Sequence, residues 1–398
     1  MTGMREAKLT LRPVSPFLSP LQSDTLWGQV AWAIAYAEGV TEETDACQRF
    51  TGRYGKAGDP PLVVSDAFPA GALPMPVLWP LSRAEREWLA VQFYKEATPA
   101  TGRAVTAALK QIGRLRHLDL AAWRELANEL SPLAVAQRFF SLELCPRLGA
   151  PPGRVDCQVA FAGCPVLHEG GCLKPERWLE RWLREHGPDE PAPVCLATSA
   201  TLTKNTKNRL TDTTMAGAGS LYLQEEVVYT GLLEVRLLLA EDLAADLPRV
   251  RGWLEAVGMG GFGSGASVGK GRFKVDDLRL APPDDPAGLP QPAGADGFMV
   301  LSAYVPRQGD PVDGWYRLRV KRGKLGGASA VALPVWKKPL LMCEPGSVFR
   351  AASPQPWYGR VVKDVSPFQP AAVQCGVALA APLRLAAEPG AKAKGGGK

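Results

Sequence analysis

The sequence predicts an α+β fold, and three observations carry that prediction. The chain opens strand, helix, strand; its second half reads strand, helix, glycine-rich loop, strand, strand; and a block of helical patterns interrupts the first half. Repeated strand–helix–strand halves suit the split βαβ unit. The expected architecture is therefore two ferredoxin-like (RRM-like) domains with a helical insertion in the first. The expected boundaries are residues 1–193 for the N-terminal domain, 194–390 for the C-terminal domain and 391–398 for a solvated tail.

The elements follow in order. Lys8–Arg12 alternates polar and apolar side chains and reads as a half-buried strand. Pro13, Pro16 and Pro20 hold the next loop open. A helix then begins with Ser23 or Asp24 as its natural cap, Leu26, Val30, Ala33 and Ile34 on one face, and Gly39 as its stop. Pro61–Phe68 reads as a second strand. "LSRAEREWLAVQFY" opens a helix through a capping box of Ser82 with Glu85. "DLAAWRELANEL" and "SPLAVAQRFF" extend the helical block. Residues 145–193 are rich in Pro, Gly and Cys, apart from a short helix around "PERWLERWLREHG", and read as the junction between domains. Beyond it, Gly231–Ala240 reads as a buried strand, and Leu247, Val250, Leu254 and Val257 mark a helix. Further strands are expected in "GRFKVDDLRLA", "GFMVLSAYVP", "GWYRLRVKRG" and "KPLLMCEPGSVFR".

Composition narrows the classes of function. The 398 residues are 46% apolar and 22% charged, with a net charge of +6. That is ordinary for a globular protein, and its mild positive balance permits a polyanionic partner without specifying one. No apolar run reaches the length of a membrane span, and the N-terminus runs into a strand-like stretch without a secretory pattern, so a cytoplasmic location is expected. The eight cysteines contain no CxxC pair. Cys145, Cys157, Cys164 and Cys172 lie beside His168 at wide, irregular gaps. They read as free thiols in a reducing compartment, with a zinc site the less favoured alternative.

From Gly258 to Gly271, seven of fourteen residues are glycine, and Lys270 and Arg272 stand at the end. A P-loop would need Gly at position 264 and Ser or Thr at 271; the chain has Ser264 and Gly271. "GMGGFG" matches G-x-G-x-x-G, but it follows a helix and runs into a strand, the reverse of a dinucleotide fingerprint. Two readings stay open. One is an RNA-backbone cradle, in which Gly260, Gly261, Gly263, Gly269 and Gly271 bring main-chain N–H groups near phosphates, Ser264 and Ser267 add hydroxyls, and Lys270 and Arg272 add charge. The other is a hinge without a ligand.

This loop, "GFGSGASVGKGRF", placed after the last helix of a ferredoxin-like domain, resembles the hallmark of the RAMP superfamily of CRISPR proteins. "SPLQSDTLWGQVAWAI", "VVSDAFPAGALPMP", "TKNTKNRLTDTT" and "KKPLLMCEPGSVFR" resemble the first helix, second-strand segment, Asn-x-x-Asn-Arg-x-Thr stretch and C-terminal strand region of one RAMP family, the fourth subunit of the type III-A (Csm) effector complex. The Cys-rich junction departs from that pattern, and the long second half does not align by eye. The resemblance implies two RAMP domains and a subunit that holds the 5′ handle of the CRISPR RNA (crRNA). It also implies contact with the large Cas10-type subunit and the backbone RAMP subunits, and it implies no cofactor. It implies a thumb-like segment that kinks the guide, for which residues 203–222 are the stretch by position.

The residues agree with a nucleic-acid role. Lys204, Lys207 and Arg209 have no acidic neighbour between Thr201 and Thr211, and Asn205 and Asn208 can donate or accept. "RLRVKRGK" packs five basic residues into eight, and as a strand places Arg317, Arg319 and Lys321 on one face. It is read as a solvated edge strand blunted by charge. A ribonuclease of RAMP type is the alternative function. The three histidines, His117, His168 and His186, are scattered, Asp24 is read as a helix cap, and Asp276 and Asp277 face opposite sides of a strand. A non-catalytic RNA-binding subunit is the expectation.

Overall fold

The computed structural model describes residues 3–37, 45–55, 60–113, 115–140, 159–160, 184–187, 190, 197–207, 210–211, 213–214, 221–282, 288–327 and 335–387. β1 (Met4–Pro13) leads into α1 (Ser23–Ala37) and α2 (Asp45–Gly52), then β2 (Leu62–Val64), β3 (Phe68–Pro69) and β4 (Ala72–Pro74). The helical block holds α3 (Arg83–Tyr94), α4 (Pro99–Ile112), β5 (His117–Asp119), α5 (Leu120–Leu126) and α6 (Pro132–Phe140), with β6 (Val159–Ala160) beyond it. Next come β7 (Ala197–Asn205), β8 (Leu221–Tyr229), β9 (Leu233–Ala240), α7 (Glu241–Ala244), α8 (Leu247–Gly260) and β10 (Phe273–Leu280). The remaining strands are β11 (Gly297–Val300), β12 (Gly314–Trp315), β13 (Leu318–Lys321), β14 (Leu340–Cys343), β15 (Val348–Arg350), β16 (Trp357–Val362) and β17 (Gln374–Leu383).

The first sheet has the order β10-β1-β9-β2, antiparallel throughout, with β3 also pairing β9. With α1 between β1 and β2 and α8 between β9 and β10, this is the split βαββαβ arrangement. The expected division at 193/194 does not separate the sheets, because β9 and β10 both flank β1. The physical reason lies in β1 itself. Its alternation buries Ala7, Leu9 and Leu11, and the fully apolar β9 supplies Val235, Leu237 and Leu239 to the same core. Ten residues of β1 need ladder partners on both edges, and the three-residue β2 cannot supply them.

The second sheet has the order β12-β15-β11-β17-β16, again antiparallel. No α-helix occurs among the described residues 288–387, so the ferredoxin-like helix pattern expected of a second domain is not seen there. β17 is buried along its whole length and packs against α1 and β2. β13 and β14 form a separate two-stranded ribbon, as do β7 and β8.

Local chemistry explains the helix ends. The capping box of α3 is present: Ser82 Oγ accepts from the Glu85 N–H at 3.2 Å, and Glu85 Oε2 accepts from the Ser82 N–H at 2.6 Å. α1 ends differently from the expectation. The Asp66 carboxylate accepts from the Ser23 N–H at 2.8 Å, and Asp24 lies buried in the first turn instead of capping it. No helix among the described residues is long and apolar enough to cross a membrane.

Candidate nucleic-acid interface

α8 delivers the glycine loop. Asp246 caps the helix through the Arg249 N–H, and Val250, Leu254 and Val257 bury one face. The helix stops at Gly261, whose φ is +89°. Gly263, Gly265, Gly269 and Gly271 also have positive φ, a conformation that other residues adopt only with strain. Phe262, fully buried, pins the loop to the core beside Phe17. Its N–H donates to the Gly271 carbonyl at 2.8 Å, while the Gly271 N–H donates to Pro16 at 2.8 Å. A side chain at Gly271 would overlap the Phe262 carbonyl, whereas Gly269 has open space around it.

The loop spends many of its donors on itself. The N–H groups of Val268, Gly269 and Lys270 donate to Gly265 and Ala266 carbonyls, and that of Arg272 to Ser15 Oγ at 2.8 Å. Among the described residues, the N–H groups of Gly263 to Ser267 have no protein acceptor. Ser264 and Ser267 are exposed beside them. Arg272 is exposed, but Lys270 is not a free cation: its Nζ lies 2.6 Å from Glu226 Oε2 on β8.

That ion pair joins the loop to the β7–β8 hairpin. The hairpin runs in register from Ala197↔Tyr229 to Asn205↔Leu221 and is anchored at its base by mutual hydrogen bonds between Phe17 and Val227, both 2.8 Å. Leu202, Leu221, Tyr222 and Leu223 are exposed along it, so it has no core of its own and stands out from the body. Lys204 lies opposite Tyr222, and by the strand period Lys204, Tyr222, Gln224 and Glu226 share one face. The Lys270 hydrogen bond, with weaker fields from Lys270 and Lys204, holds the Glu226 carboxyl below its ordinary range. Asn205 Nδ2 donates to Thr214 Oγ1 at 3.2 Å, and Lys207 bridges Thr214 across the tip. Of the residues expected here, Lys204, Asn205 and Lys207 are on the hairpin; Asn208 and Arg209 lie outside the described residues, as do the four junction cysteines and His168. Gly260 ends α8 with open space around it.

Most of the charged side chains on the outer face of the first sheet are paired with one another. Glu234 and Arg236 are buried and paired at 2.6 Å, Lys8 reaches Glu234 at 2.9 Å, and Glu6 reaches Arg236 at 3.3 Å. Arg12 forks onto Asp276 at 2.7 Å. Lys8, Arg12 and Arg236 are thus each paired with a carboxylate, whereas Lys274, opposite Arg12, is exposed.

The basic stretch at 317–324 corrects the solvated-edge expectation. Leu318 and Val320 face outward, while Arg319 and Lys321 turn inward to Asp24. Lys321 Nζ lies 3.0 Å from Asp24 Oδ2 and 2.8 Å from Gln22 Oε1, and Gln374 Nε2 donates to Asp24 at 2.8 Å. Lys337, bonded to Gln374 and the Val373 carbonyl, completes the cluster, with its pKa pushed down to about 8 by burial. This junction between α1 and the second half went unrecognised in the sequence. Its signal was an acidic residue inside an apolar helix, facing a strand whose basic residues recur at every second position.

No family model and no curated protein matches the chain. Solved structures do. It is similar to Csm4 in the crystal structure of the Csm3-Csm4 subcomplex of the type III-A CRISPR-Cas interference complex. That likeness has a TM-score of 0.53 at 14% identity and covers 96% of this chain and 99% of that one. It is also similar to a chain of the Csm1-Csm4 cassette crystallised with AMPPNP, at a TM-score of 0.47 and 15% identity, covering 97% of this chain and 100% of that one. The fold is thus of the kind found in the type III-A CRISPR-Cas interference complex. Within that class it is Csm4-like in fold.

Proposed function

We propose that this chain is the non-catalytic, crRNA-binding subunit of a type III CRISPR-Cas effector complex, in antiviral defence. It grips the 5′ handle of the crRNA between the glycine loop and the β7–β8 hairpin and bridges the large Cas10-type subunit and the backbone RAMP subunits. The observation that carries the reading is the joining of loop and hairpin. Five consecutive unspent N–H groups, from Gly263 to Ser267, lie on a loop that the Lys270–Glu226 pair ties to a projecting hairpin bearing Lys204, Asn205, Lys207 and Tyr222. Main-chain donors and lysines suit phosphates, and an exposed tyrosine beside a lysine suits an unstacked base. The Csm4-like fold supports the same reading.

Filter binding of handle RNA across a salt series tests it. Arg272→Ala should weaken binding and flatten the log–log salt slope by about 0.7, one counterion of single-stranded RNA. Lys270→Ala should change the slope less, because that ammonium is already paired. Repeat RNA incubated with the chain without metal should stay intact. Unaltered binding in Arg272→Ala and in a Lys204→Ala/Lys207→Ala variant would sink the reading.

A further inference from the structure

The helical insertion takes no part in the loop and hairpin, yet it builds a concave site. Between residues 75–81 and the helices α4 and α6 lies an open groove of about 550 Å³. Its walls are apolar: Met75 and Leu78 on one side, Leu109, Ile112 and Val135 on the other. Three cations, Arg86, Lys110 and Arg317, are among its lining residues, and no carboxylate is. Thr106, Leu109, Lys110 and Gly113 recur at helical spacing, so α4 presents one continuous surface to it. Trp79 also lines it, and its indole N–H is buried without an acceptor.

We propose that this groove docks a protein partner that inserts an apolar side chain flanked by carboxylates. The apolar walls would leave water for such an anchor; Arg317 is held by Glu344 at 3.5 Å, and the exposed Arg86 and Lys110 meet no carboxylate among the lining residues. Charge complementarity therefore sets the occupant: an acidic-flanked apolar segment. A nucleic-acid strand fits less well. The aromatic in its wall, Trp79, is buried and packed on Trp315, so it offers bases no open platform, and the Thr106 hydroxyl is already donated to the Gly102 carbonyl at 2.8 Å. The identity of the partner rests on the effector-subunit reading: it is the Cas10-type subunit or a backbone RAMP subunit of the same complex.

The test uses the full chain, tagged and co-expressed with the Cas10-type and backbone subunits of its own host. Thr106 is exposed on α4, so Thr106→Trp fills the groove without touching the core. Arg86→Glu/Lys110→Glu reverses two exposed cations. Both variants should lower recovery of one of the two protein subunits at least tenfold, the worth of one buried apolar anchor. Handle-RNA affinity should stay within twofold of the parent. Variants that recover both subunits like the parent would overturn the docking site and leave the RNA reading standing. Loss of RNA in step with the subunits would assign the groove to nucleic acid and overturn the protein occupant. A parent chain that recovers neither subunit would overturn the effector-subunit reading and this proposal together.

Discussion

Lys270 Nζ sits 2.6 Å from Glu226 Oε2, with the Glu226 side chain only 4% exposed. The glycine loop and the hairpin are therefore one electrostatic unit. Lys270→Ala should strand a buried carboxylate at the base of the hairpin. Hydrogen exchange of the Val227 amide should then speed up, while the β1 amides keep their parent rates. Because Lys270 lowers the folded-state pKa of Glu226, the pair's stabilisation is full above the unfolded Glu range, about 4.3, and fades as pH falls through the lower folded value. The stability difference between the parent and Glu226→Gln should be present at pH 7 and gone in strong acid.

Gly269 and Gly271 should answer differently to the same substitution. Both have positive φ, so alanine at Gly269 should cost about 1–2 kcal/mol of backbone strain and leave the loop in place. Alanine at Gly271 meets the Phe262 backbone and must push the loop off the core. Urea denaturation of the two variants separates the costs. Equal losses would mean that the loop is too soft for the overlap to matter.

Asp24 holds Lys321 and Gln374 across the junction of α1 with the second half. Asp24→Asn should leave the half-buried Lys321 without its counter-charge and cost about 1–3 kcal/mol. Protease cleavage in the β13–β14 ribbon should accelerate as the ribbon loosens. An Asp24→Asn protein as stable as the parent would contradict this role.

Lys337 gives an alkaline signature. Burial pushes its pKa down to about 8 in the folded chain, against about 10.4 in the unfolded one. Between those values the unfolded chain binds more protons, so this group adds stability as pH rises through that window. Urea midpoints of the parent, set against those of Lys337→Met, should climb from pH 7.5 to pH 10. A flat difference would show that the ammonium is solvated.

How far the sequence reached is best seen residue by residue. The Ser82–Glu85 box, the apolar face of α8 and the position of the glycine loop are local signals, and each appears as expected. The two-residue period of 319–321 does place Arg319 and Lys321 together, while Arg317 lies before the strand, half exposed and paired with Glu344. The direction in which that face points was not local information. It depends on Asp24, almost three hundred residues away in the chain (|i−j| = 297 to Lys321). The pairing of Lys270 was hidden for a similar reason: nothing near it in sequence marks Glu226 as its partner. The placing of β1 between β9 and β10 was out of reach likewise, since a strand's alternation names its buried face and never its neighbours.

The position of β1 between β9 and β10 also sets a timetable. During synthesis the N-terminal strand emerges first, yet its ladder partners begin only at Leu233 and end at Leu280. At about 5–20 residues per second the ribosome keeps that strand waiting for roughly 15–50 s. Until then Leu9 and Leu11 have no sheet to enter, and the nascent chain carries an apolar strand that a chaperone or a co-synthesised subunit must shield. A stop codon anywhere before residue 273 would leave β1 with an open edge, so truncated forms of this protein should aggregate instead of folding into a smaller domain.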